Sequence, residues 1–305
     1  MSLAAASPME QERPCPGCQH RDHAPFAEQH IDADRLGEYA YASRKMPEFM
    51  CLRLVRCRHC DLVYAPTPPS GNALSAAYAE AAYDSAPEAE AAARTYAEAL
   101  APFIARLPER HAAIDVGAGS GPLLPWLSAA GFAPVLGIEP SKAAIEAAPA
   151  ERRPALREGM FSAEQVADLS PSLIGSFMTL EHLDDPGAFV RTAHDLLLPG
   201  GMLAVVVHDW RAPLNRLLGR RSPIIDIEHL QLFSPQAIHQ LLHRAGFREI
   251  TCLPIANTYP LRYWLRLTPL PVALKTRLIH GLGALGLADL PLSFRVGNLL
   301  AVGYK

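Results

Sequence analysis

The chain lacks the features that would place it in a membrane or in the secretory pathway. Its 305 residues contain no uninterrupted apolar run of the roughly 18 to 20 residues that a membrane-spanning helix needs. The first residues, MSLAAASPMEQERPC, have neither a basic start nor a sustained apolar core, so we expect no signal peptide. The formal net charge is only −3, which gives no electrostatic reason to expect a nucleic-acid partner. We therefore expect a cytoplasmic protein with one ordinary domain and a smaller one.

Cysteine is scarce, with six in the chain. Because no export signal is expected, we do not expect these cysteines to form a disulfide framework. Four of them form two pairs of one spacing, Cys15 and Cys18 in CPGC and Cys57 and Cys60 in CRHC. Each C-x-x-C turn brings two thiolates to one side of a tight turn, and two such turns supply the four sulfurs that a structural zinc ion prefers. We therefore predict a zinc site here, rather than free thiols or a redox-active pair.

The predicted zinc site is closed, because protein fills all four ligand positions. Such a site stabilises a small domain rather than catalysing a reaction, and a domain of roughly 60 residues with few large apolar side chains needs such support. Three histidines near the pairs are alternative ligands, whereas two further cysteines have no partner at this spacing; they are His20, His23 and His59, and Cys51 and Cys252.

Proline-rich residues 65–73 (APTPPSGNA) read as a linker, which divides the chain into a zinc-binding domain at 1–72 and a second domain at 73–305. In the second domain, predicted strands alternate with segments of helical periodicity. This order predicts an α/β fold with a doubly wound, mostly parallel sheet. The predicted strands are AAIDVG, PVLGIEP, ALREGMF, SLIGSFMTLEHL, GMLAVVVHD, REITCLPI and NLLAVGYK.

A glycine loop follows the first of these strands and contains Gly117, Gly119 and Gly121. Ligands of open α/β sheets bind at the carboxyl ends of the strands, and glycine lets a ligand approach the backbone closely. Glu139 ends the next strand, where its carboxylate can accept bonds from both hydroxyls of a ribose. A dinucleotide site would need G-x-G-x-x-G, and a glycine turn without a ligand is the other alternative.

The order of motifs resembles class I S-adenosylmethionine-dependent methyltransferases, whose first motif is (D/E)-x-G-x-G-x-G. Here that motif runs from Asp115 to Gly121, and Glu139, EGMF, LEHLDDPGAFV and LLLPGG follow in the family's order. The resemblance covers roughly residues 76–305. It implies a Rossmann-like domain with a seven-stranded sheet and S-adenosylmethionine as the cofactor.

The resemblance also implies roles for individual residues. The acid and the loop glycines are expected around the methionine part of the cofactor, and Glu139 at the ribose. Met160 or Phe161 is expected against the adenine, although large apolar residues are more often plain core. The remaining expected cofactor contacts are Leu180 and Glu181.

Two Glu-His pairs follow predicted strands and supply candidate bases, because a histidine pKa lies near neutral. They are Glu181-His182 and Glu228-His229. Together with the cysteine module, the segment E-H-L-x-x-F-S resembles bacterial sugar C-methyltransferases, which act on nucleotide-linked keto-sugars. In that family the histidine makes an enolate beside the ketone, which the resemblance assigns to His229 with Glu228; His182 is the second candidate. The alternative for His229 is a structural role, as a helix cap or in a core hydrogen bond.

This chain departs from the sugar C-methyltransferases in two respects. Asp226 stands where the family has a tyrosine, and the chain ends with the last predicted strand, so the family's further C-terminal domain is not matched. Tyr78 and Tyr83 fall where the family places a tyrosine before the glycine loop, and a surface helix is the alternative. We expect a small-molecule acceptor, with O- or N-methylation of a natural-product or glycan intermediate as the alternative reaction. Binding of a protein or nucleic acid through the zinc module is the alternative from another functional class.

Two further segments bear on specificity. Residues 209–223 concentrate four arginines, which suit a phosphate-bearing acceptor or form a solvated basic helix. Residues 258–290 form an apolar insertion before the last strand, with interspersed Arg and Lys. The insertion is a lid over the acceptor, a dimer surface or a patch that touches a membrane. The four arginines of residues 209–223 are Arg211, Arg216, Arg220 and Arg221.

Overall fold

The computed structural model describes residues 12–32, 50–80, 83, 86–268 and 270–305. Residues 1–11 and 33–49 of the predicted zinc-binding domain, and Pro269 of the predicted insertion, lie outside the described residues. The strands are β1 His23–Ala27, β2 Leu54–Cys57, β3 Val63–Tyr64, β4 Ala112–Val116, β5 Val135–Glu139, β6 Leu156–Glu158, β7 Pro171–Phe177, β8 Met202–His208, β9 Gln231–Leu232, β10 Arg248–Pro260 and β11 Pro291–Tyr304. The α-helices are α1 Gly71–Glu80, α2 Ala86–Ile104, α3 Leu124–Ala129, α4 Lys142–Ala147, α5 Pro186–Leu196, α6 Pro213–Leu218, α7 Pro235–Arg244, α8 Leu261–Leu267 and α9 Val272–Ala284.

A seven-stranded sheet in the order β10-β11-β8-β7-β4-β5-β6 forms the centre of the larger domain. Strands β4 to β8 pair in parallel, whereas β11 runs antiparallel to both β8 and β10. Every residue of β4 is buried, as is all of β8 except its last residue. Helices cover both faces of such a sheet, which is why these strands read as continuous apolar runs. The predicted mostly parallel seven-stranded fold is confirmed.

Two of the helices that flank the sheet begin at serine capping residues. The side chain of Ser141 accepts a hydrogen bond from the backbone N–H of Ala144 at the start of α4. Ser234 makes the same bond with Ala237 at the start of α7. These caps satisfy amide groups that the first turn leaves without helical partners. They fix where each helix starts after a strand, and therefore where the loops at the carboxyl edge of the sheet lie.

A second, antiparallel sheet in the order β1-β2-β3-β9 carries the cysteine pairs. Its fourth strand, β9, comes from the larger domain and pairs with β3. The guanidinium of Arg211 also pairs with the carboxylate of Asp61 at 2.6 Å, and the indole N–H of Trp210 donates to the carbonyl of Asp61 at 3.1 Å. Backbone pairing and side-chain contacts therefore both fix the small sheet against the larger domain.

The last two strands extend beyond the sheet and carry the insertion between them. Helices α8 and α9 lie between β10 and β11, whose outer ends pair from Asn257 with Phe294 to Pro260 with Pro291. Among the described residues, no helix has the length and apolar character required to cross a bilayer.

Candidate active site

A cavity of about 1030 Å³ opens at the carboxyl edge of the parallel strands. Its wall includes the turns after β4, β5, β6 and β7, the end of β8 and parts of α6 and α8. This is the edge at which open α/β sheets bind ligands. The cavity brings together most of the predicted cofactor and base residues: Asp115, Gly117, Gly119, Glu139, Met160, Phe161, His182, Glu228 and His229.

The glycine loop needs its glycines for backbone conformation and for space. Gly117, Gly119 and Gly121 have φ of +77°, +56° and +70°, a region that other residues rarely adopt. A Cβ on Gly117 would lie 2.2 Å from the hydroxyl oxygen of Thr179, so the loop fits tightly against the turn after β7. A Cβ on Gly121 would meet Leu124 at 2.9 Å, and Gly121 packs on α3 rather than lining the cavity. Gly117 and Gly119 therefore form the cavity-facing part of the loop.

Two buried carboxylates lie beside the glycine loop. Glu139 accepts hydrogen bonds from the backbone N–H groups of Gly119 and Ser141, both at 2.8 Å. Asp115 is 4% exposed, and its Oδ1 atom has no hydrogen-bond partner among the described residues. Burial, and next the charge of Glu139, raise the pKa of Asp115 to about 7. A buried acceptor without a partner is costly, so a ligand that donates hydrogen bonds fits this position.

The turn after β7 differs from the expectation. Leu180 and Glu181 are both fully buried and lie outside the cavity wall, where Met178 and Thr179 stand instead. The reason is that residues 180–182 form a 3-10 turn, which directs these two side chains into the core. Glu181 accepts a hydrogen bond from the backbone N–H of His208 at 2.6 Å, and burial raises its pKa to about 7. In this structure Leu180 and Glu181 lie behind the cavity wall rather than on it.

The two predicted apolar contacts lie on the cavity wall. Met160 is 43% exposed, and the ring of Phe161 packs against that of Phe189 with centroids 5.3 Å apart. Both residues follow β6, on the same side of the cavity as Glu139. Both therefore give this part of the cavity an apolar lining.

Three histidine rings meet on another wall. The centroid of His229 lies 4.9 Å from that of His182 and 5.1 Å from that of His208. The Nδ1 atom of His229 lies 2.9 Å from the carbonyl oxygen of Ile224, and that of His182 lies 3.1 Å from the carbonyl of Glu228. A carbonyl only accepts, so in the neutral rings Nδ1 carries the proton and the lone pair is on Nε2. Both predicted histidines therefore have the tautomer that a base acting through Nε2 needs.

Gln231 holds the two histidine segments together. Its side-chain amide donates hydrogen bonds to the carbonyls of Leu180, Glu181 and Leu183 at 2.8, 3.1 and 2.7 Å. The backbone N–H of Leu230 also donates to the carbonyl of Glu181 at 2.9 Å. The E-H-L-x-x-F-S segment is thus bonded directly to the turn that carries His182.

Sequence reasoning missed His208 and its partners. The carboxyl end of β8 carries His208, which pairs in register with Asn298 of β11. Asn298 donates to the side-chain oxygen of Asn257 at 2.9 Å, and Asn257 donates to the hydroxyl of Tyr259 at 3.2 Å. Burial, and next the charge of His182, lower the pKa of His208 to about 4, so the ring is neutral near neutral pH. The one signal for His208 in the sequence is its position at the end of an apolar strand.

The remaining predicted residues divide between the cavity and the surface. Tyr78 and Tyr83 both line the cavity: the ring of Tyr78 lies 5.9 Å from that of His182, and the hydroxyl of Tyr83 lies 3.0 Å from that of Ser120. Asp226 is buried at the cavity and accepts a hydrogen bond from the N–H of Ile227 at 2.7 Å. Arg211 is paired with Asp61. Among the described residues, no Lys or Arg lines the cavity, and three of the predicted arginines are exposed: Arg216, Arg220 and Arg221.

The two cysteine pairs converge in the small sheet. The ligand atoms of all four cysteines lie within 4.8 Å of one another, and all four side chains are buried. The sulfurs of Cys15 and Cys60 are 3.4 Å apart, and those of Cys18 and Cys57 are 3.5 Å apart. Bonds of about 2.3 Å to one tetrahedral zinc ion would place sulfurs at nearly these separations. Cys51 and Cys252 lie outside this cluster.

Comparisons with known proteins place the larger domain in a family. The model of a family described as "Methyltransferase domain" matches residues 89–252, which is more than half of the chain. Comparison with curated proteins finds no match.

Solved structures match the chain at low sequence identity. A structure from Thermotoga maritima, titled a SAM-dependent methyltransferase and possible histamine N-methyltransferase, is 20% identical; the match covers 69% of this chain and 89% of that one, with a TM-score of 0.45. A SAM-dependent methyltransferase from Archaeoglobus fulgidus is 14% identical over 70% and 94% of the two chains, with a TM-score of 0.47. The plantazolicin methyltransferase BpumL, solved with SAH, is 16% identical over 78% and 90%, with a TM-score of 0.47.

Proposed function

This chain belongs to the methyltransferase domain family, and from that premise we propose that it transfers a methyl group from S-adenosylmethionine to a small-molecule intermediate. The observation that supports this most is the arrangement of the cavity. A glycine loop and two buried carboxylates form one part of it, and histidines with a proton acceptor at Nε2 form another.

The glycine-loop side of the cavity fits the cofactor. Asp115, with an acceptor atom that lacks a partner, suits the cationic amino group of the methionine part. Glu139, held by two backbone N–H groups, suits the ribose hydroxyls, and Met160 and Phe161 suit the adenine. When bound, this cofactor supplies an electrophilic methyl group.

The histidine side of the cavity fits removal of a proton from the acceptor. We propose that His229 takes this proton at Nε2, while its Nδ1–H stays bonded to Ile224 and fixes the ring. The electron pair left on the acceptor atom would then form the new bond to the methyl carbon, while the bond between that carbon and the sulfonium sulfur breaks and S-adenosylhomocysteine leaves. His182, held by the carbonyl of Glu228, forms the adjacent wall, and Glu228 lies beside the acceptor.

A carbon next to a ketone is the acceptor that we propose first, in a keto-sugar, because the segment around His229 resembles that of sugar C-methyltransferases. The described part of the cavity wall contains no Lys or Arg, which suits the uncharged sugar ring. The diphosphate of a nucleotide-linked sugar would then bind outside the cavity, where Arg216, Arg220 and Arg221 are exposed. An oxygen or nitrogen acceptor in another metabolite is the alternative for the same base.

The acceptor is tested with S-adenosylmethionine that carries an isotope-labelled methyl group. The protein is incubated with free and nucleotide-linked keto-sugars, phenols and amines, and mass spectrometry locates the label. We expect label on a sugar carbon. Label on oxygen or nitrogen of another compound would retain methyl transfer and exclude the keto-sugar, whereas a protein that does not bind the cofactor would overturn the proposal as a whole.

We also propose that Cys15, Cys18, Cys57 and Cys60 bind one zinc ion. The four buried sulfurs lie within 4.8 Å of one another, and two pairs have separations close to those of a tetrahedral thiolate site. A site with four protein ligands leaves no position for a reactant, so the proposed role is structural.

A further inference from the structure

The insertion between β10 and β11 exposes an apolar surface. Most of the exposed large hydrophobic side chains among the described residues lie in this one part of the chain. Scattered exposed apolar residues need no explanation, but a concentration of them in one segment of the chain suggests a contact surface. We call this set the insertion face; it comprises Leu270, Val272, Leu274, Leu278, Leu285, Leu287, Leu290 and Phe294.

Helix α9 contributes much of the insertion face and has little support from the rest of the protein. None of its 13 residues is buried, including Val272 at 62% exposure and Leu274 at 43%. A helix of about this length is marginal in water without an apolar face packed on something else. Since the protein itself leaves this helix exposed, an external partner is needed to cover it.

The charge around the insertion face identifies the chemistry of that partner. Residues 258–295 contain five Arg or Lys and a single acid, Asp289. Asp289 pairs with Arg262, and Arg266 pairs with Glu88 of α2 at 3.6 Å. Arg277 and Arg295 are exposed beside the leucines. An apolar surface with excess positive charge fits an anionic lipid surface, where leucines enter the interface and cations meet the headgroups.

We propose that the insertion face docks this protein onto an anionic membrane surface. A second copy of the chain fits less well, because a two-fold interface places the same patch against itself and so brings like charges together. The docked protein lies on the membrane and does not span it. This proposal does not depend on the identity of the methyl acceptor.

The same insertion connects the insertion face with the cavity. Tyr263, Trp264 and Leu267 of α8 line the cavity, and the ring of Trp264 packs against Phe294 of the insertion face with centroids 5.1 Å apart. Docking would therefore bring one wall of the cavity close to the lipid. An acceptor with an apolar portion then has a short path from the bilayer to the histidines.

Vesicle sedimentation with the full chain tests the proposal. The vesicles are phosphatidylcholine alone or an equal mixture of phosphatidylcholine and phosphatidylglycerol. We expect binding to the mixed vesicles, weakened by salt, and little binding to phosphatidylcholine alone. The double variant Leu274→Glu with Leu278→Glu should bind the mixed vesicles at least about tenfold more weakly than the parent, because two apolar side chains are lost from the interface.

The matched control places two new carboxylates on exposed positions of α3, as Ser128→Glu with Ala129→Glu. This control should bind the mixed vesicles as the parent does, and circular dichroism confirms that both double variants are folded. Equal binding by the α9 variant and the control, or no binding by the parent, would overturn the proposal. So would a dimer in sedimentation velocity that the α9 substitutions dissociate, since a second copy would then cover the insertion face.

Discussion

The carboxylate of Glu139 accepts a hydrogen bond at 2.8 Å from the backbone N–H of Gly119, across the gap between the turns that follow β5 and β4. The same carboxylate accepts a second bond, also 2.8 Å, from the N–H of Ser141. Both bonds favour the charged form, but burial is the larger effect and raises the pKa of Glu139. The side chain is thus fixed at the cavity before any ligand binds, which reduces the cost of ordering it on binding.

Replacing Glu139 by alanine should weaken the binding of S-adenosylhomocysteine about 10- to 100-fold, because hydrogen bonds to a charged group are worth about 1.5 to 3 kcal/mol. Calorimetric titration measures this change. Glu146→Ala, on the exposed side of α4, is the matched control and should bind as the parent does. Parent-like affinity in the Glu139 variant would remove this residue from the ribose site.

The pKa of Asp115 predicts how cofactor binding depends on pH. Burial raises this pKa to about 7 in the unliganded protein, so below that pH the carboxyl is largely protonated. A cationic amino group of the ligand favours the carboxylate, so binding must release a proton there. Affinity for S-adenosylhomocysteine should therefore rise as the pH increases toward about 7 and then level off.

Calorimetry in two buffers of different protonation enthalpy measures the released proton directly. Asp115→Asn should bind more weakly and without the pH dependence. The control is Glu181→Gln, because burial also raises the pKa of Glu181 to about 7, yet that residue lies outside the cavity wall. A pH dependence that disappears in the Glu181 variant and persists in the Asp115 variant would reverse the assignment.

The motifs that depend on backbone geometry could be predicted from the sequence. Continuous apolar runs indicated the parallel strands, and Gly117 and Gly119 indicated a ligand-facing loop because few other residues adopt their φ values. The seven predicted strands correspond to the seven strands of the larger sheet. The pairing of β9 with β3 could not be predicted, since two residues carry no periodicity of their own.

Side-chain directions in short turns and contacts between distant strands could not be predicted. The motif order predicts that Leu180 and Glu181 contact the cofactor, but a 3-10 turn directs both side chains into the core. At the histidine wall, His208 pairs with Asn298, which lies 90 positions later in the chain. Such pairing leaves no local signal in the sequence.

The predicted zinc site leads to a measurement of metal content. Purified protein should contain one zinc ion per chain by elemental analysis, and Cys57→Ser should lose the ion together with a large part of its thermal stability, because binding of a structural metal is coupled to folding. Cys252→Ser is the control, since Cys252 lies outside the cluster and should leave both quantities unchanged. A folded parent protein without metal would contradict the zinc assignment.

The histidine wall gives the most direct test of the reaction. His229→Ala should reduce turnover about 100- to 10,000-fold, the usual contribution of a positioned base, while its affinity for S-adenosylhomocysteine stays unchanged. The separation is expected because His229 meets His182 and His208, whereas the glycine loop and Glu139 form another part of the cavity. His239→Ala, on the exposed side of α7, is the matched control. Because His182 forms the wall, His182→Ala should lose less activity than His229→Ala. A larger loss in His182→Ala would make His182 the base. Full turnover in both variants would exclude both histidines from proton transfer.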